Sequence, residues 1–377
     1  MKFDYIIAGS GCAGLSLAMR LVKCGKLSHK SILIVDKEIK NQNDRTWCFW
    51  EEGSNQFEEI VHKRWKQVWF YSDGVSKLLE LDPFEYKIIR GGDFYRHCIE
   101  HLSKQPNIHF LTAKVEKIDH EDCSITVNGD KLFAEYIFNS IPSKPELNKN
   151  EFFLLQHFKG LLINTETPQF DDSSATLMDF RVEQESGTTF AYVLPFSPTK
   201  ALVEYTLFSG EVLDQNEYDI HLKEYITNQL GIEKYEIEEE EFGIIPMTNH
   251  KFKPAEGKVI NIGSAGGLTK PSSGYTFYFI QKHSQAIVDA LLNGGNPSTI
   301  NSTTPKRFSY FDSVLLNVLS TGKAKGKEIF TDLFKSNSPQ QILRFLNNES
   351  SILTDLKIIS SLPTFPFLKA GLQEIRN

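Results

Sequence analysis

Three glycines and one carboxylate near the N-terminus have the types and spacing needed to hold a dinucleotide. Asp4-Tyr5-Ile6-Ile7-Ala8 reads as a buried strand, Gly9-Ser10-Gly11-Cys12-Ala13-Gly14 as a turn, and Leu15 onward as a helix. A second apolar run, Ser31-Ile32-Leu33-Ile34-Val35, ends in Asp36. In a G-x-G-x-x-G turn the first glycine permits the tight bend and the second lets backbone approach a pyrophosphate. The third lets helix and sheet pack closely. The helix start offers unpaired N–H groups and a partial positive charge to that pyrophosphate. Asp36 follows at about the 20-residue interval where an acid accepts ribose hydroxyls. A glycine turn that served packing alone would not need Asp36.

A second candidate for chemistry lies mid-chain. The strand around Glu204 alternates Leu202, Glu204, Thr206 on one face and Val203, Tyr205, Leu207 on the other. Read from the residues alone, Glu204 is either an exposed strand glutamate or a desolvated acid on an apolar stripe. In the second case burial raises its pKa, and it can hold a proton near neutral pH. The acidic run Glu238 to Glu241 reads as a solvated strand end, and His221 and His250 show no ligand spacing.

The elements that must position these residues follow from periodicity. Helices are expected at about 13–25, 92–103, 216–230 and 274–293. Strands are expected at 3–8, 31–36, within 60–90, at 108–118, 124–128 and 132–139, and again at 158–164, 175–181, 188–195, 200–207, 236–245 and 258–263. Asn128-Gly129 is a hairpin turn signal. Residues 305–377 read as amphipathic helix broken by Pro339, Pro363 and Pro366. The pieces at 1–36, 105–140 and 258–263 form one interrupted sheet with a mostly antiparallel domain inserted. The fold class is therefore α/β, with α+β in the insertion. One nucleotide-binding domain is expected from 1–45, 85–145 and 255–300, a substrate domain from 46–84 and 146–254, and a helical region from 301–377.

Composition excludes several classes. A net charge of −7 argues against a nucleic-acid partner. Five scattered cysteines show no C-x-x-C pair and no metal spacing, so no metal site is expected and a reducing compartment is. Met1-Lys2-Phe3 runs straight into the first strand, so no secretory segment is expected, and no stretch has the length of a spanning helix. Phenylalanine is unusually frequent, at 28 against 13 tyrosines, which fits a Phe-rich core or a cavity for a long apolar ligand.

Five further motifs occur in order along the chain: Asn43-Asp44-Arg45-Thr46-Trp47-Cys48-Phe49-Trp50, Ile89-Arg90-Gly91-Gly92-Asp93-Phe94-Tyr95, Leu202-Val203-Glu204-Tyr205-Thr206-Leu207-Phe208, Gly243-Ile244-Ile245-Pro246-Met247, and the glycine-rich stretch from Ile262 to Tyr275. With the N-terminal fingerprint they resemble the lycopene cyclases, flavoproteins that close rings at the ends of acyclic carotenoids. The resemblance runs from about residue 3 to past 365.

It implies a two-domain flavoprotein fold with noncovalent FAD, used in reduced form with NAD(P)H as reductant. It implies a redox-neutral conversion of lycopene through γ-carotene to β-carotene. Glu204 matches the acid that protonates the polyene. Relatives carry a second acid directly after it, and here that place holds Tyr205. Gly263, Gly266, Gly267 and Gly274 correspond to the second flavin-contacting turn. Arg45, Arg90 and Val115 match further cofactor-side positions, and Trp47, Tyr205 and Pro271 are the expected substrate contacts. A lipid-soluble substrate implies a membrane surface as partner, with the protein cytoplasmic and peripheral on the inner face of the cell membrane. The apolar stretch from Leu353 to Leu372 could cap a substrate tunnel or lie in the membrane interface. Two other readings share the implied fold: a flavin-dependent prenyl reductase of the geranylgeranyl reductase type, and a non-catalytic prenyl-binding chaperone. Reductant consumption separates the first from a cyclase, and indifference to Glu204 separates the second.

Overall fold

The computed structural model describes residues 2–300 and 305–375, so 301–304 and 376–377 of the expected C-terminal region lie outside the described residues. The N-terminal strand, Lys2–Ala8, takes the centre of an eight-stranded sheet. Parallel neighbours Ile32–Asp36 and Ile108–Thr112 lie on one side, and Asp130–Asn139 and Val259–Asn261 on the other. Strands buried on both faces must be apolar at every position. Accordingly Ile32 and Ile34 pack on the helical layer, and Leu33 and Val35 on the opposite one. The helical layer holds Cys12–Lys23, Gly91–Leu102 and Phe277–Leu292. The opposite face is covered by a meander in which Val115–Asp119, Ser124–Val127 and Asp130–Asn139 run antiparallel. Its second turn is the expected two-residue hairpin, with Asn128 and Gly129 both at positive φ (52° and 80°).

The inserted sheet has seven strands. Their order is Glu236–Thr248, Phe153–Asn164, Lys200–Ser209, Thr188–Ser197, Ala175–Asp179, Gln67–Ser72 and Val75–Glu80. All its pairings are antiparallel except that between Ala175–Asp179 and Gln67–Ser72. Period-2 alternation splits its side chains between two cores. Ala191, Val193, Val203, Tyr205 and Leu207 pack under the helix Gln215–Glu224. Phe190, Tyr192, Leu194, Leu202 and Phe208 pack on the other side with Trp50, Trp65, Tyr86 and the C-terminal residues Leu316, Phe330 and Phe334. That second side is an aromatic chamber, and it absorbs much of the phenylalanine excess.

A third sheet of three strands joins the lobes: Thr46–Glu52, Phe84–Arg90 and Lys63–Trp65. Residues 85–90, grouped by sequence with the nucleotide-binding part, pair here with Thr46–Glu52, because Thr46 lies opposite Arg90 and Glu52 opposite Phe84. The C-terminal helices are Lys306–Ser320, Gly326–Ser336, Pro339–Leu346, Ile352–Ser360 and Thr364–Ile375. Pro339 starts a helix, following Ser338 in a capping box with Gln341.

One buried ion pair ties the C-terminal helices to the second glycine turn. Lys270 Nζ lies 2.8 and 3.1 Å from the two oxygens of Asp312, with side chains only 2% and 7% exposed. Removing one partner leaves the other charge buried without its counter-ion. We therefore expect Asp312→Ala to lose about 3–5 kcal/mol of stability, read as a lowered urea midpoint. A loss below 1 kcal/mol would show that the pair is not a clamp.

Candidate active site

The fingerprint turn is built as its glycines require. Gly9 adopts φ +101°, and an added Cβ would sit 2.2 Å from Ser140 Oγ. A Cβ on Gly14 would sit 2.0 Å from the Gly9 carbonyl oxygen. Gly11 is the exception, because a Cβ there would meet nothing within 4 Å. It caps the helix Cys12–Lys23 with no side chain over the first N–H groups. Two glycines are thus demanded by packing, and the third borders open space at a helix N-terminus, the shape of an anion cradle. Asp36 Oδ2 accepts from Ser10 N–H (2.7 Å) and Ser10 Oγ (2.9 Å), and Oδ1 accepts from Glu38 N–H (3.2 Å). The carboxylate expected at the ribose therefore also fixes the glycine turn. The backbone N–H of Ala113 reaches the Asp36 carbonyl (2.7 Å), which brings Val115 alongside. Arg45 pairs with Asp44 at 2.9 Å and lies near Cys12 at the helix start, where an anion would be held.

The second glycine turn closes on the first. Gly263, at φ +60°, abuts the fingerprint helix so closely that a Cβ would lie 2.7 Å from Ala13 Cβ. Gly266 presses on the Asn261 carbonyl, and Gly267, at φ +69°, on the Phe252 ring. Gly274, at φ +71°, faces Gln156, with only 1.9 Å left between an added Cβ and Oε1. Beside this turn, Gln156 Oε1 and the hydroxyls of Ser272 and Ser273 are buried without a partner. Unpaired buried polar atoms are costly. Together with the open space at Gly11 they fit a large polar cofactor lying between the two turns. Pro271 stands in the turn closed by Lys270 N–H to Tyr275 O (2.9 Å).

The strand Thr46–Glu52 divides this region from the aromatic chamber. Trp47 and Phe49 face the nucleotide side. Trp47 packs on Phe94 and Tyr95 (centroids 4.8 and 5.7 Å), and Phe49 stacks on Phe277 (4.4 Å). Thr46, Cys48 and Trp50 face the other way, where Trp50 meets Tyr275 edge-on at 4.3 Å. Trp47, an expected substrate contact, is thus half-buried against the core of the nucleotide lobe. Strand alternation places Trp50, not Trp47, on the chamber side.

Glu204 points into that chamber from Lys200–Ser209, on the same face as Leu202 and Phe208. Thr206 Oγ1 donates to its Oε1. Tyr192 is its cross-strand neighbour, and Cys48 and Tyr275 lie close by. Burial raises its pKa most, and a second carboxylate, Glu241, adds to the rise. Tyr205 takes the opposite face and stacks on His221 at 4.9 Å, so it neither meets the chamber nor stands in for a second acid.

The second acid comes from another strand. Glu241 is buried, and its own pKa is raised by desolvation against the lowering effect of a Thr46 hydrogen bond (Oγ1 to Oε2, 2.8 Å). The expectation that Glu238 to Glu241 is a solvated strand end holds for Glu238, Glu239 and Glu240 and fails at Glu241. The missed signal is phase, since Glu241 shares the inward positions of Gly243, Ile245 and Met247. Arg90 also differs from expectation. It pairs with Glu239, which accepts from Asn43 Nδ2 (2.8 Å) as well, at the mouth of a narrow cleft beside Glu241, and it is not in the cofactor cradle.

The fold is that of the two-domain flavoproteins. A flavin-dependent brominase shares the fold with a TM-score of 0.65 at 11% identity, covering 100% of both chains. The family model described as lycopene cyclase protein matches residues 4–372, and the chain belongs to that family. Neoxanthin synthase of Solanum lycopersicum is 25% identical over 323 residues, covering 78% of this chain and 61% of the relative. The chain therefore spans about six-tenths of the length of that plant relative. The lycopene beta-cyclase of Pantoea ananas is 26% identical over 404 residues, covering 99% of this chain and 98% of the relative.

Two outcomes follow. Gly11→Val should leave the unfolding midpoint unchanged, because its side chain enters open space, yet abolish flavin copurification; full flavin occupancy would refute the cradle. Glu241 is buried and Glu204 half-buried, and both have folded-state pKa values above their unfolded ones, so the folded chain binds more protons. Their contribution to stability is complete at low pH and is lost as pH rises above the ordinary glutamate range. Glu241→Gln should therefore grow more stable relative to wild type from about pH 5 to about pH 8. A pH-independent difference in urea midpoint would contradict the burial of a titrating group there.

Proposed function

We propose that this chain is an FAD-dependent, redox-neutral carotenoid cyclase that converts lycopene through γ-carotene to β-carotene. The observation that carries the reading is Glu204, a half-buried carboxyl on the aromatic face of its strand, whose pKa is raised by desolvation and by the charge of Glu241. An unactivated alkene carbon accepts a proton only from an acid kept neutral and dry. Glu204 would give its proton to C2 of the terminal double bond. The neighbouring double bond then attacks the tertiary cation, a ring C–C bond forms, and loss of a ring proton completes the β-end group. No electrons are gained or lost overall.

The chamber suits such a cation. Trp50, Tyr86, Tyr192 and Phe190 are buried around it, and aromatic faces attract positive charge while walls of this kind exclude water. Gly9, Gly11, Gly14, Asp36, Arg45 and Val115 would hold the dinucleotide, and Gly263, Gly266, Gly267 and Gly274 would border the flavin ring. The reduced, anionic cofactor would supply a negative charge opposite the cation, with NAD(P)H keeping it reduced. Tyr275, rather than Pro271, adjoins Glu204 from that turn and is the contact we assign to substrate.

A lipid surface as partner is supported by the C-terminal helices. Leu353, Leu356, Phe365, Leu368 and Leu372 are all exposed, the last three at the i, i+3, i+7 spacing of one helix face. Among the described residues no helix is long and apolar enough to cross a membrane. We propose peripheral attachment at the inner face of the cell membrane by this stripe.

The deciding experiment is pigment analysis in lycopene-accumulating cells. The wild-type chain should yield β-ended products of unchanged mass, without one NAD(P)H consumed per ring. Glu204→Gln should retain flavin and lose at least about 10²–10⁴-fold of ring closure, the range for a general acid. Products heavier by added hydrogen would identify a prenyl reductase instead, and near wild-type closure in the Gln variant would remove Glu204 as the acid.

A further inference from the structure

If Glu204 is the acid, as proposed above, one buried group remains without a task. Glu204, Gly160 and Glu241 lie in a row across three adjacent strands, since Gly160 is registered with Glu204 on one side and Glu241 on the other. Gly160 contributes no side chain to the row. A Cβ there would stand 3.0 Å from Glu241 Cγ and 3.3 Å from Glu241 Oε1, so the Glu241 carboxyl already lies over the gap. Each carboxyl has one oxygen held by a threonine hydroxyl, Thr206 for Glu204 and Thr46 for Glu241. Glu241 Oε1, the oxygen over the gap, is buried and has no partner. Leu202 Cδ1 reaches the same gap, 3.1 Å from where that Cβ would stand, and the charge of Glu241 acts on Glu204 across it.

The surroundings make the two carboxyls unequal. Thr46, Arg90, Asp44 and Glu239 lie around Glu241, and the cleft on that side has exposed Glu239 and Glu240 at its rim. Around Glu204 stand Cys48, Tyr192 and Tyr275, with no cation among the groups acting on it. Arg90 and the Thr46 hydroxyl favour negative charge on Glu241, so the single proton of the pair rests on Glu204.

We propose that Glu241 is the positioning partner of Glu204: the two carboxyls share one proton across Gly160, and the charge on Glu241 holds that proton on the acid that faces substrate. In turnover the O–H bond of Glu204 breaks as the C–H bond to the polyene forms. The ring proton released after closure returns to the now doubly ionised pair, which ends as it began, with one proton. Between turnovers Glu241 exchanges that proton with water in the cleft.

The test is the pH profile of ring closure by flavin-loaded enzyme in lycopene-containing vesicles. Wild-type activity falls on the alkaline side as Glu204 ionises. Glu241→Gln removes the like charge that opposes ionisation, so its alkaline limb should move to lower pH by about one unit or more. Glu241→Asp keeps the charge and should leave the limb near its wild-type place. Gly160→Ala keeps both carboxyls in the chain but presses a methyl against that of Glu241, 3.0 Å from Cγ and 3.3 Å from Oε1; it should shift the limb in the same direction and decides the matter if the Gln variant does not fold. A uniform loss at all pH values with an unmoved limb would show a structural role and overturn the proposal, as would an unchanged profile in Glu241→Gln. Neither result would touch the cyclase reading, which fails only if the wild-type chain closes no rings.

Discussion

Taking a carboxyl group out of water and keeping it useful is the constraint around which the rest of this molecule is arranged. An isolated carboxylate in an apolar interior is unstable by several kcal/mol, and the usual resolution is that it picks up a proton. Here two such groups are brought to either side of a single glycine. Burial and mutual repulsion both favour the neutral acid. The seven-stranded sheet provides the row, because strand pairing sets which side chains lie side by side on a face. The aromatic cluster and the C-terminal helices close the chamber above it. Loosening either would admit water and return Glu204 to an ordinary acidity.

The strand Thr46–Glu52 is the septum between the two halves of the function. Its alternation sends Trp47 and Phe49 into the nucleotide lobe and Thr46, Cys48 and Trp50 toward the acids. The turn from Gly263 to Tyr275 crosses the same boundary. It touches Ala13 at one end and Trp50 at the other, and Lys270 anchors it to the C-terminal helices through Asp312. The frame is shared with a flavin-dependent brominase at 11% identity. Fold alone does not specify reaction, so the proposed chemistry rests on the side chains this chain places on that frame.

Much of the frame was legible in the chain because it depends on short-range rules. The fingerprint glycines, the strand endings at Ala8 and Asp36, and the hairpin at Asn128-Gly129 follow from local sterics and periodicity. These are the same in any tertiary setting. The helix expected at 92–103 forms at Gly91–Leu102, and the helix expected at 274–293 begins three residues later, at Phe277, because the backbone before it is held in turns by Lys270 and Gly274. The two faces of the Glu204 strand were also readable, since a strand has only two.

What the sequence by itself determined is which residues lie in which element and on which of its faces. Which faces meet was decided only by the tertiary structure. Glu204 could be seen on an apolar stripe, but its partner lies in a strand separated from it in sequence and paired to it through a third. A run of four glutamates looks solvated, and for three of them it is; the fourth is buried because its strand turns its inward phase on the chamber at that residue. Trp47 and Trp50 have equal claims on a substrate as letters. The difference between them is which side of one strand faces the acid, and that depends on how two lobes pack. Long-range packing of this kind leaves no local signature, because it arises from burying complementary surfaces contributed by distant segments.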